Sequence, residues 1–313
     1  MNIAILDAAT LGDTDLNGFK KFGNTKIYNN TAPDERVERI SGNEIIVTNK
    51  VIIDREVMNA CPELKLICIS ATGMNNIDLE YAAKKNITVK NVAGYSTASV
   101  TQMTFAMIFY LLNHLPYFDN YVKSGTYAES EIFTNYGRSF HELGNMQTGI
   151  IGMGAIGKKV AEIASSFGSK VAYYSTSGRN KNAGFECLDL DELLQSSDII
   201  SIHAPLNNNT NNLIDATKLN LMKRTAILIN VGRGGIVNEQ DLADTLDNEI
   251  IAGAGVDVFT SEPIKKDNPL LKVKNKERLI MTPHVAWASH EARKLLIEKL
   301  LNNIEEFMKD LKK

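Results

Sequence analysis

Hydrophobic positions along this chain occur in short continuous runs, separated by segments with helical spacing. Apolar runs without polar alternation are typical of parallel strands that are buried on both faces. Strands are predicted at 3–6, 44–49, 64–70, 87–92, 149–154 (a strand with its turn), 170–175, 198–205, 226–230, 251–259 and 279–283. Helices are predicted between them at 54–59, 79–85, 157–167, 189–196, 216–222 and 239–247. The alternation predicts an α/β fold with two doubly wound parallel sheets.

Two longer segments interrupt this alternation. From Ser99 to Pro116 the chain is apolar on nearly all sides, which predicts a buried helix at a domain or subunit boundary. The polar and aromatic segment 117–138 has no strand pattern and is predicted to be an arm or loop.

The last segment, 289–311, has one apolar stripe and therefore predicts an amphipathic helix that needs a partner surface. The stripe is formed by Leu296, Leu300, Ile304, Met308 and Leu311.

Composition narrows the class of protein. A length of 313 residues favours two domains, and a net charge of −3 without a basic block argues against nucleic acid and anionic membrane surfaces as partners. The longest apolar run, Phe105–Leu112, is too short to span a bilayer, and the N-terminus lacks the pattern of a signal peptide. The three cysteines lack CxxC spacing, so we expect reduced thiols, no metal site and a cytoplasmic location. They are Cys61, Cys68 and Cys187.

A glycine-rich turn follows the strand that begins at residue 149. Gly152, Gly154 and Gly157 form GxGxxG between a predicted strand and a predicted helix, with the next strand within about 30 residues. Such a turn lets a pyrophosphate approach the backbone and the helix N-terminus. The alternative is a glycine turn that serves strand–helix packing alone. The context favours a dinucleotide site.

The segment after the next strand bears on which dinucleotide binds. An acid usually follows this strand and binds the ribose 2′-hydroxyl, yet YYSTSGRNK contains none. Ser175, Thr176, Ser177 and Arg179 would instead accept a 2′-phosphate. NADP(H) is therefore predicted to be tolerated or preferred. The alternative is a solvated turn with NAD(H) bound in the absence of the acid.

Three polar residues follow predicted strands and suit hydride transfer to a 2-keto acid. Arg233, flanked by glycines, can grip a carboxylate, and His284 can exchange the proton of the reacting oxygen. Glu262 beside the imidazole would stabilise its protonated form. Taken singly, Arg233 could be a surface turn arginine and Glu262 an ordinary loop acid, and the spacing alone does not decide the role of His284. The other histidines are His203, expected to have a structural or cofactor-lining role, and His114, His141 and His290, expected to be packed or solvated.

Seven motifs in order resemble the D-2-hydroxyacid dehydrogenase family over essentially the full length. They are ATGMNNIDL, NVAGYSTASVTQMTFA, GIIGMGAIGKKVA, HAPLNNNT, INVGRGGIVNEQDL, GAGVDVFTSEP and TPHVAWAS. NVAGYST, Gln102 and Trp287 are similar to the glycerate dehydrogenase and hydroxypyruvate reductase branch. The resemblance implies a flavodoxin-like substrate domain, 1–96 plus 289–313, around a Rossmann nucleotide-binding domain, 97–288, with the active site in the cleft between.

The resemblance also implies roles for individual residues. Arg233 would bind the substrate carboxylate, His284 would be the acid–base residue with Glu262, and backbone amides near Thr72 and Gly73 would hold the substrate's other end. Further cofactor contacts implied are Thr101, Ala155, Ile156, Ala204, Pro205, Val231, Gly232, Asp257 and Ala286. A homodimer joined through the nucleotide-binding domain is implied, and the 99–116 helix and the 117–138 arm suit that role.

The expected reaction transfers a hydride between NAD or NADP and a small anionic D-2-hydroxy acid or 2-keto acid. Glycerate with hydroxypyruvate, or glyoxylate, is the substrate expected from the branch. Phosphoglycerate and D-lactate dehydrogenases of the same family are alternatives, although a phosphorylated substrate would need cations near Thr72, where ICISATGMNNID has none. A non-catalytic NAD(H)-sensing protein resembling a corepressor is an alternative from another class.

Overall fold

The computed structural model describes residues 1–180 and 184–311, which form two compact units. The first comprises Met1–Ser96 with the C-terminal segment that begins at Ala288, and the second comprises Thr97–Trp287. Ala288, placed from the sequence in the nucleotide-binding domain, groups instead with the first unit. Lys181 of the YYSTSGRNK segment and the last two residues of the predicted 289–313 segment lie outside the described residues.

The first unit is built on a five-stranded parallel sheet. Its strands are β1 (Asn2–Ile5), β2 (Asn24–Ile27), β3 (Ile45–Thr48), β4 (Leu66–Ile69) and β5 (Thr88–Lys90). The order β2-β1-β3-β4-β5 is the doubly wound order of flavodoxin-like folds. The short edge strand β2 is absent from the sequence prediction, because its residues are mostly exposed and carry no apolar run.

The described part of the first unit has the α-helices α1 (Arg36–Ile40), α2 (Arg55–Ala60), α3 (Leu79–Lys84) and α10 (His290–Asp310). The last of these returns from the C-terminal segment and packs against β4. Leu296, Leu300 and Ile304 on its predicted apolar stripe are fully buried. The amphipathic terminal helix therefore completes the core of the first unit.

The second unit is built on a seven-stranded parallel sheet. Its strands are β6 (Gln147–Ile151), β7 (Lys170–Tyr174), β8 (Glu186–Cys187), β9 (Ile199–Ile202), β10 (Ile227–Asn230), β11 (Gly253–Val256) and β12 (Leu279–Met281). The order β12-β11-β10-β9-β6-β7-β8 reverses at β6 and is that of a Rossmann fold. Ile227 and Ile229 pack on one face and Leu228 on the other, which explains the unbroken apolar runs. The predicted fold class is confirmed.

The α-helices of the second unit are α4 (Thr97–Leu112), α5 (Leu115–Lys123), α6 (Ala155–Ser166), α7 (Leu190–Ser196), α8 (Ala216–Leu219) and α9 (Glu239–Asp247). The prediction that the apolar helix runs to Pro116 is wrong. His114 has a φ of 50°, which breaks the helix, and Pro116 lies in the first turn of α5, where its missing N–H costs little. No helix in the described parts of the chain is long and apolar enough to cross a bilayer.

Candidate active site

Polar and glycine-rich turns collect at the carboxyl edge of the seven-stranded sheet. Because the strands are parallel, the segments that follow them emerge at the same edge, where α/β folds bind ligands. The predicted residues there include Gly152 after β6, Ser175 after β7, Ala204 after β9, Arg233 after β10, Asp257 after β11 and His284 after β12. The second unit therefore brings most of the predicted site residues to one edge.

The three glycines of the turn between β6 and α6 differ in backbone conformation and in the space around them. Gly152 has a φ of 94°, and a Cβ there would lie 2.8 Å from the Ala204 nitrogen. A Cβ on Gly157 would overlap the Gly152 carbonyl, whereas a Cβ on Gly154 would meet no atom within 4 Å. The N-terminus of α6 has no side-chain cap. Open space beside uncapped helical N–H groups fits the pyrophosphate of a dinucleotide.

The turn after β7 presents hydroxyls and a cation. The Ser175 hydroxyl is buried and has no hydrogen-bond partner among the described residues. The backbone carbonyl of Ser175 accepts the Gly178 N–H at 3.1 Å, and the Ser177 hydroxyl accepts the Arg179 N–H at 3.3 Å. Arg179 is exposed, and no described carboxylate pairs with it. This turn therefore carries a hydroxyl and a guanidinium that have no side-chain partner among the described residues.

Arg233 lies in a turn that Asn230 closes. The Asn230 side chain accepts the Gly232 N–H at 3.1 Å and donates to the Arg233 carbonyl at 3.1 Å. Beyond Arg233, a Cβ on Gly234 would overlap the Phe259 carbonyl, so this turn packs directly on the segment that leads to Glu262. The Arg233 guanidinium donates to the Gly232 carbonyl at 2.8 Å, and no described carboxylate pairs with it. Its charge is therefore available to an anionic ligand.

His284 and Glu262 form the pair expected of an acid–base group. His284 Nδ1 lies 2.7 Å from a Glu262 carboxylate oxygen, and both side chains are about one-quarter exposed. The other Glu262 oxygen accepts the Phe259 N–H at 3.1 Å. A carboxylate at Nδ1 favours a proton there and leaves Nε2 for a substrate. The geometry thus presents an oriented imidazole that can exchange a proton.

The turn that carries His284 is held by Asp257. Its carboxylate accepts the Thr282 hydroxyl at 2.5 Å, the Val285 N–H at 2.9 Å and the Ala286 N–H at 3.0 Å. The Asp257 carbonyl accepts the His284 N–H at 2.8 Å, and His284 has a left-handed φ of 53°. Burial raises the pKa of Asp257 above its ordinary value, although these hydrogen bonds and nearby His284 act to lower it.

This positioning role of Asp257 has no signal in the local sequence. The family resemblance implies only a cofactor contact for it, and a single Asp in VDVF does not reveal three donors 25 to 29 residues downstream. Asn230 is likewise absent from the predicted site, because an Asn at the end of a strand resembles an ordinary turn residue. The Asn before VGRGG is the only sequence cue to the turn that holds Arg233.

His203 is a different kind of histidine. Its Nε2 lies 2.8 Å from the Ser201 hydroxyl, while its Nδ1 is buried without a hydrogen-bond partner in the described parts of the chain. Burial lowers the pKa of His203 to about 3. The imidazole is therefore neutral at ordinary pH, which suits a packed residue beside Ala204. His141 and His290 are exposed, and His114 Nε2 lies 3.2 Å from the Ser139 carbonyl.

Two predicted substrate contacts lie in the first unit, in the segment after β4. The Thr72 hydroxyl donates to the Val92 carbonyl at 3.0 Å, and the Asn91 side chain donates to the Thr72 carbonyl at 2.7 Å. The N–H groups of Thr72 and Gly73 have no partner among the described residues. Their role in binding substrate stays a prediction.

The remaining predicted cofactor residues belong to the second unit. Thr101 is buried in α4, where its hydroxyl donates to the Thr97 carbonyl at 2.7 Å. Ala286 donates to Asp257, and its carbonyl accepts the Ser99 hydroxyl at 2.6 Å. The others lie in turns at the sheet edge or at the start of α6: Ala155, Ile156, Thr176, Pro205, Val231 and Gly232. Within the described residues, no cluster of His, Cys, Asp or Glu suits a metal ion.

Comparison with known proteins gives one consistent result. The family model described as D-isomer specific 2-hydroxyacid dehydrogenase, NAD binding domain, matches residues 105–286. A hydroxypyruvate reductase of Blautia hydrogenotrophica is 37% identical over 99% of this chain and 97% of its own, and a glycerate dehydrogenase of Methylorubrum extorquens is 36% identical over 98% and 96%. An acyclic imino acid reductase (Bsp5), solved with NADPH and D-Arg, superposes with a TM-score of 0.88 at 30% identity, over 99% of this chain and 98% of that one.

Proposed function

Because this chain belongs to the D-isomer specific 2-hydroxyacid dehydrogenase family, we propose that it interconverts hydroxypyruvate and D-glycerate, or reduces glyoxylate, with a nicotinamide cofactor. The observation that carries the proposal is the His284–Glu262 contact of 2.7 Å at the sheet edge that also bears the glycine turn. The names of the Blautia hydrogenotrophica and Methylorubrum extorquens relatives support this substrate class.

The catalytic roles follow from the charges and contacts of the site. A bound nicotinamide would supply or accept the hydride at C2 of the substrate. In the reducing direction His284, protonated and oriented by Glu262, donates a proton from Nε2 to the oxygen on C2. Arg233, which no described carboxylate neutralises, holds the substrate carboxylate and stabilises negative charge on that oxygen. In the oxidising direction neutral His284 removes the same proton.

We propose that the cofactor site tolerates or prefers NADP(H). The support is the buried Ser175 hydroxyl and the exposed Arg179, for which the described residues offer no side-chain partner, together with the neighbouring Thr176 and the lack of an acid at the end of β7. The related imino acid reductase was solved with NADPH. An acid would repel a 2′-phosphate, whereas a guanidinium attracts one.

We also propose that the protein is a cytoplasmic homodimer. The location is supported by Cys61, Cys68 and Cys187, which are free thiols. The dimer is supported by the aromatic side chains exposed between α5 and β6, among them Phe133 and Tyr136.

The test of function is an assay of NADPH and NADH oxidation with hydroxypyruvate, glyoxylate, pyruvate and 3-phosphohydroxypyruvate. We expect turnover of the first two and little of the phosphorylated acid. The variant His284→Gln should lower kcat by ~10²–10⁴ because the general acid is lost. His290→Gln, an exposed histidine at the start of α10, is the matched control and should retain full activity. Cofactor binding without turnover of any 2-keto acid would instead favour a nucleotide-sensing protein.

A further inference from the structure

Glu239, the first residue of α9, contacts both ends of the loop that carries Glu262. One of its carboxylate oxygens accepts the Thr260 N–H at 2.7 Å, and the other accepts the Asn268 side-chain amide at 2.7 Å. Residues 260–268 lie between these two contacts. A single carboxylate therefore brackets the loop whose acid touches His284.

The two contacts of Glu239 with the loop are not a consequence of helix capping. The N-cap of α9 is Asn238, whose side chain accepts the N–H groups of Gln240 and Asp241 at 3.1 Å each. The Glu239 carboxylate is thus not needed by its own helix and both of its oxygens cross to the loop. Hydrogen bonds to an ionised acceptor are stronger than neutral ones, so this contact constrains the loop more than a neutral side chain would.

The Asn268 end of the loop is buried and makes a further hydrogen bond of its own. Asn268 is 7% exposed, and its side-chain oxygen accepts the Leu270 N–H at 3.0 Å. At the other end, Thr260 follows Phe259, whose N–H binds Glu262 at 3.1 Å and whose carbonyl packs against Gly234 of the arginine turn. Glu239 therefore fixes the backbone from which Glu262 reaches His284.

We propose that Glu239 is a positioning residue, which holds Glu262 in contact with His284; its kinetic consequence rests on the proposed function. Glu262 contacts the imidazole at Nδ1, and Asp257, whose carboxylate holds the His284 turn, also interacts with it electrostatically. If the loop is released, the Glu262 carboxylate leaves Nδ1 part of the time. The protonated imidazole is then less stabilised, and the reducing reaction loses its acid at lower pH.

The kinetic experiment compares three variants of the full-length protein. Glu239→Ala removes both contacts, Glu239→Gln keeps an acceptor for Thr260, and Gln240→Ala is the control on the same helix turn. We expect the alkaline limb of the pH profile of kcat/KM for hydroxypyruvate reduction to move to lower pH by roughly 0.5–1 unit in Glu239→Ala. This shift is smaller than the 1–3 units that a full opposite charge produces, because the Glu262 contact is lost only part of the time. Glu239→Gln should shift it less, and Gln240→Ala should not shift it.

A double substitution tests whether Glu239 acts through Glu262. In a Glu262→Gln background, adding Glu239→Ala should leave the pH profile where Glu262→Gln alone puts it, because residues that act as one unit are not additive. Independent additive shifts would overturn the proposal. A lower Tm with an unchanged pH profile would also overturn it and leave Glu239 a merely structural residue.

A readout without substrate separates this inference from the proposed function. The NMR resonance of the His284 Nδ1 proton, assigned with His284→Gln, reports on the hydrogen bond to Glu262 and should move upfield or broaden in Glu239→Ala. An unchanged resonance contradicts the positioning role even if the enzyme turns over. Absence of turnover in the wild type with a changed resonance in the variant contradicts the proposed function alone. If Glu239→Ala does not fold, Glu239→Gln carries the same comparison with a smaller shift.

Discussion

His203 and His284 have the same side chain in opposite environments within one unit. His284 is about one-quarter exposed and has a carboxylate at Nδ1, whereas His203 has a buried Nδ1 without a described partner. A carboxylate stabilises the charged imidazole, and burial excludes it. The two residues therefore divide into a proton carrier and a side chain that is neutral at ordinary pH, although both follow strands of the same sheet.

The neutral His203 makes folding sensitive to acid. Its pKa is about 3 in the folded state against an ordinary value of 6.5, so the folded protein binds fewer protons and loses stability as the pH falls from 6.5 towards 3. At pH 4.5 this loss is about 3 kcal/mol. His203→Gln, which can keep the Ser201 contact, should remove it. Urea unfolding at pH 7.0 and 4.5, followed by fluorescence of the single tryptophan, Trp287, reports on the second unit.

The exposed His290→Gln serves as the control in that experiment, because it has no buried imidazole to protonate. It should lose as much stability between the two pH values as the wild type does. If His203→Gln also loses as much, the acid sensitivity comes from other groups and the prediction is wrong.

Arg179 is the residue on which cofactor preference depends most directly. Arg179→Ala should raise the KM for NADPH about tenfold or more and leave the KM for NADH nearly unchanged, since only a 2′-phosphate requires the cation. Arg224→Ala, an exposed arginine before β10, at the opposite edge of the sheet, is the matched control. Equal effects of Arg179→Ala on both cofactors, or a strong preference of the wild type for NADH, would contradict the proposed preference.

Site residues whose charge or acid–base chemistry suits the reaction can be predicted from the sequence. Residues that only position them through hydrogen bonds cannot. Arg233, Glu262 and His284 stand out because each is a charged or titratable group at the end of a strand. The roles of Asp257 and Glu239 depend on hydrogen bonds across 20 to 30 residues of chain. Nothing in the local sequence fixes such partners, because they are set by how the turns after β11 and β12 pack.

At the scale of elements, the β6–α6 turn combines a packing requirement with an open space. A side chain on Gly157 would overlap the Gly152 carbonyl, so this glycine is required for the helix to approach the strand. Gly154 has extended backbone angles, and a Cβ there would have no neighbour within 4 Å, so the fold alone does not require it. An alanine at Gly154 and an alanine at Gly157 are therefore expected to have different effects on folding and on dinucleotide binding.

Gly154→Ala should fold normally and bind the dinucleotide poorly. We expect a Tm within about 3 °C of the wild type and a dissociation constant for NADPH raised tenfold or more, because the methyl group occupies the space beside the helix N-terminus. Gly157→Ala should instead lower the stability by about 1–3 kcal/mol or prevent folding, since overpacking displaces backbone. Calorimetry and fluorescence titration measure both quantities. Unchanged NADPH affinity in Gly154→Ala would contradict the predicted pyrophosphate position.

Elements with strong periodicity agree well with their predictions, and the errors have local causes. The buried strands of both sheets and the helices α6, α9 and α10 lie within a few residues of their predicted bounds. The strands β2 and β8 escape prediction because their residues are mostly exposed and give no apolar run. The break between α4 and α5 escapes it because His114 adopts a positive φ that its residue type does not announce.

At the scale of the whole molecule, the two units differ in how much apolar surface they leave to solvent. The second unit exposes several large apolar side chains along one segment after α5. They are Ile132, Phe133, Tyr136 and Phe140, of which Phe133 is 88% and Tyr136 81% exposed. Contiguous exposed aromatics are uncommon on monomers and mark interaction surfaces. Ile132, Phe133 and Tyr136 lie in the segment 117–138, whose role as a dimer arm stays a prediction.

The proposed dimer predicts a specific loss on removing these aromatics. The wild type should sediment at about twice the chain mass of 34.6 kDa. Burial of a large apolar side chain contributes ~1.5–3 kcal/mol, so the double variant Phe133→Ser with Tyr136→Ser should weaken association by about 3 kcal/mol or more, roughly 100-fold. Ile52→Ser, which removes an exposed apolar side chain from the first unit, should leave the mass unchanged. A wild type that sediments as a single chain at micromolar concentration would rule out a stable dimer, and a double variant that remains dimeric would place the interface elsewhere.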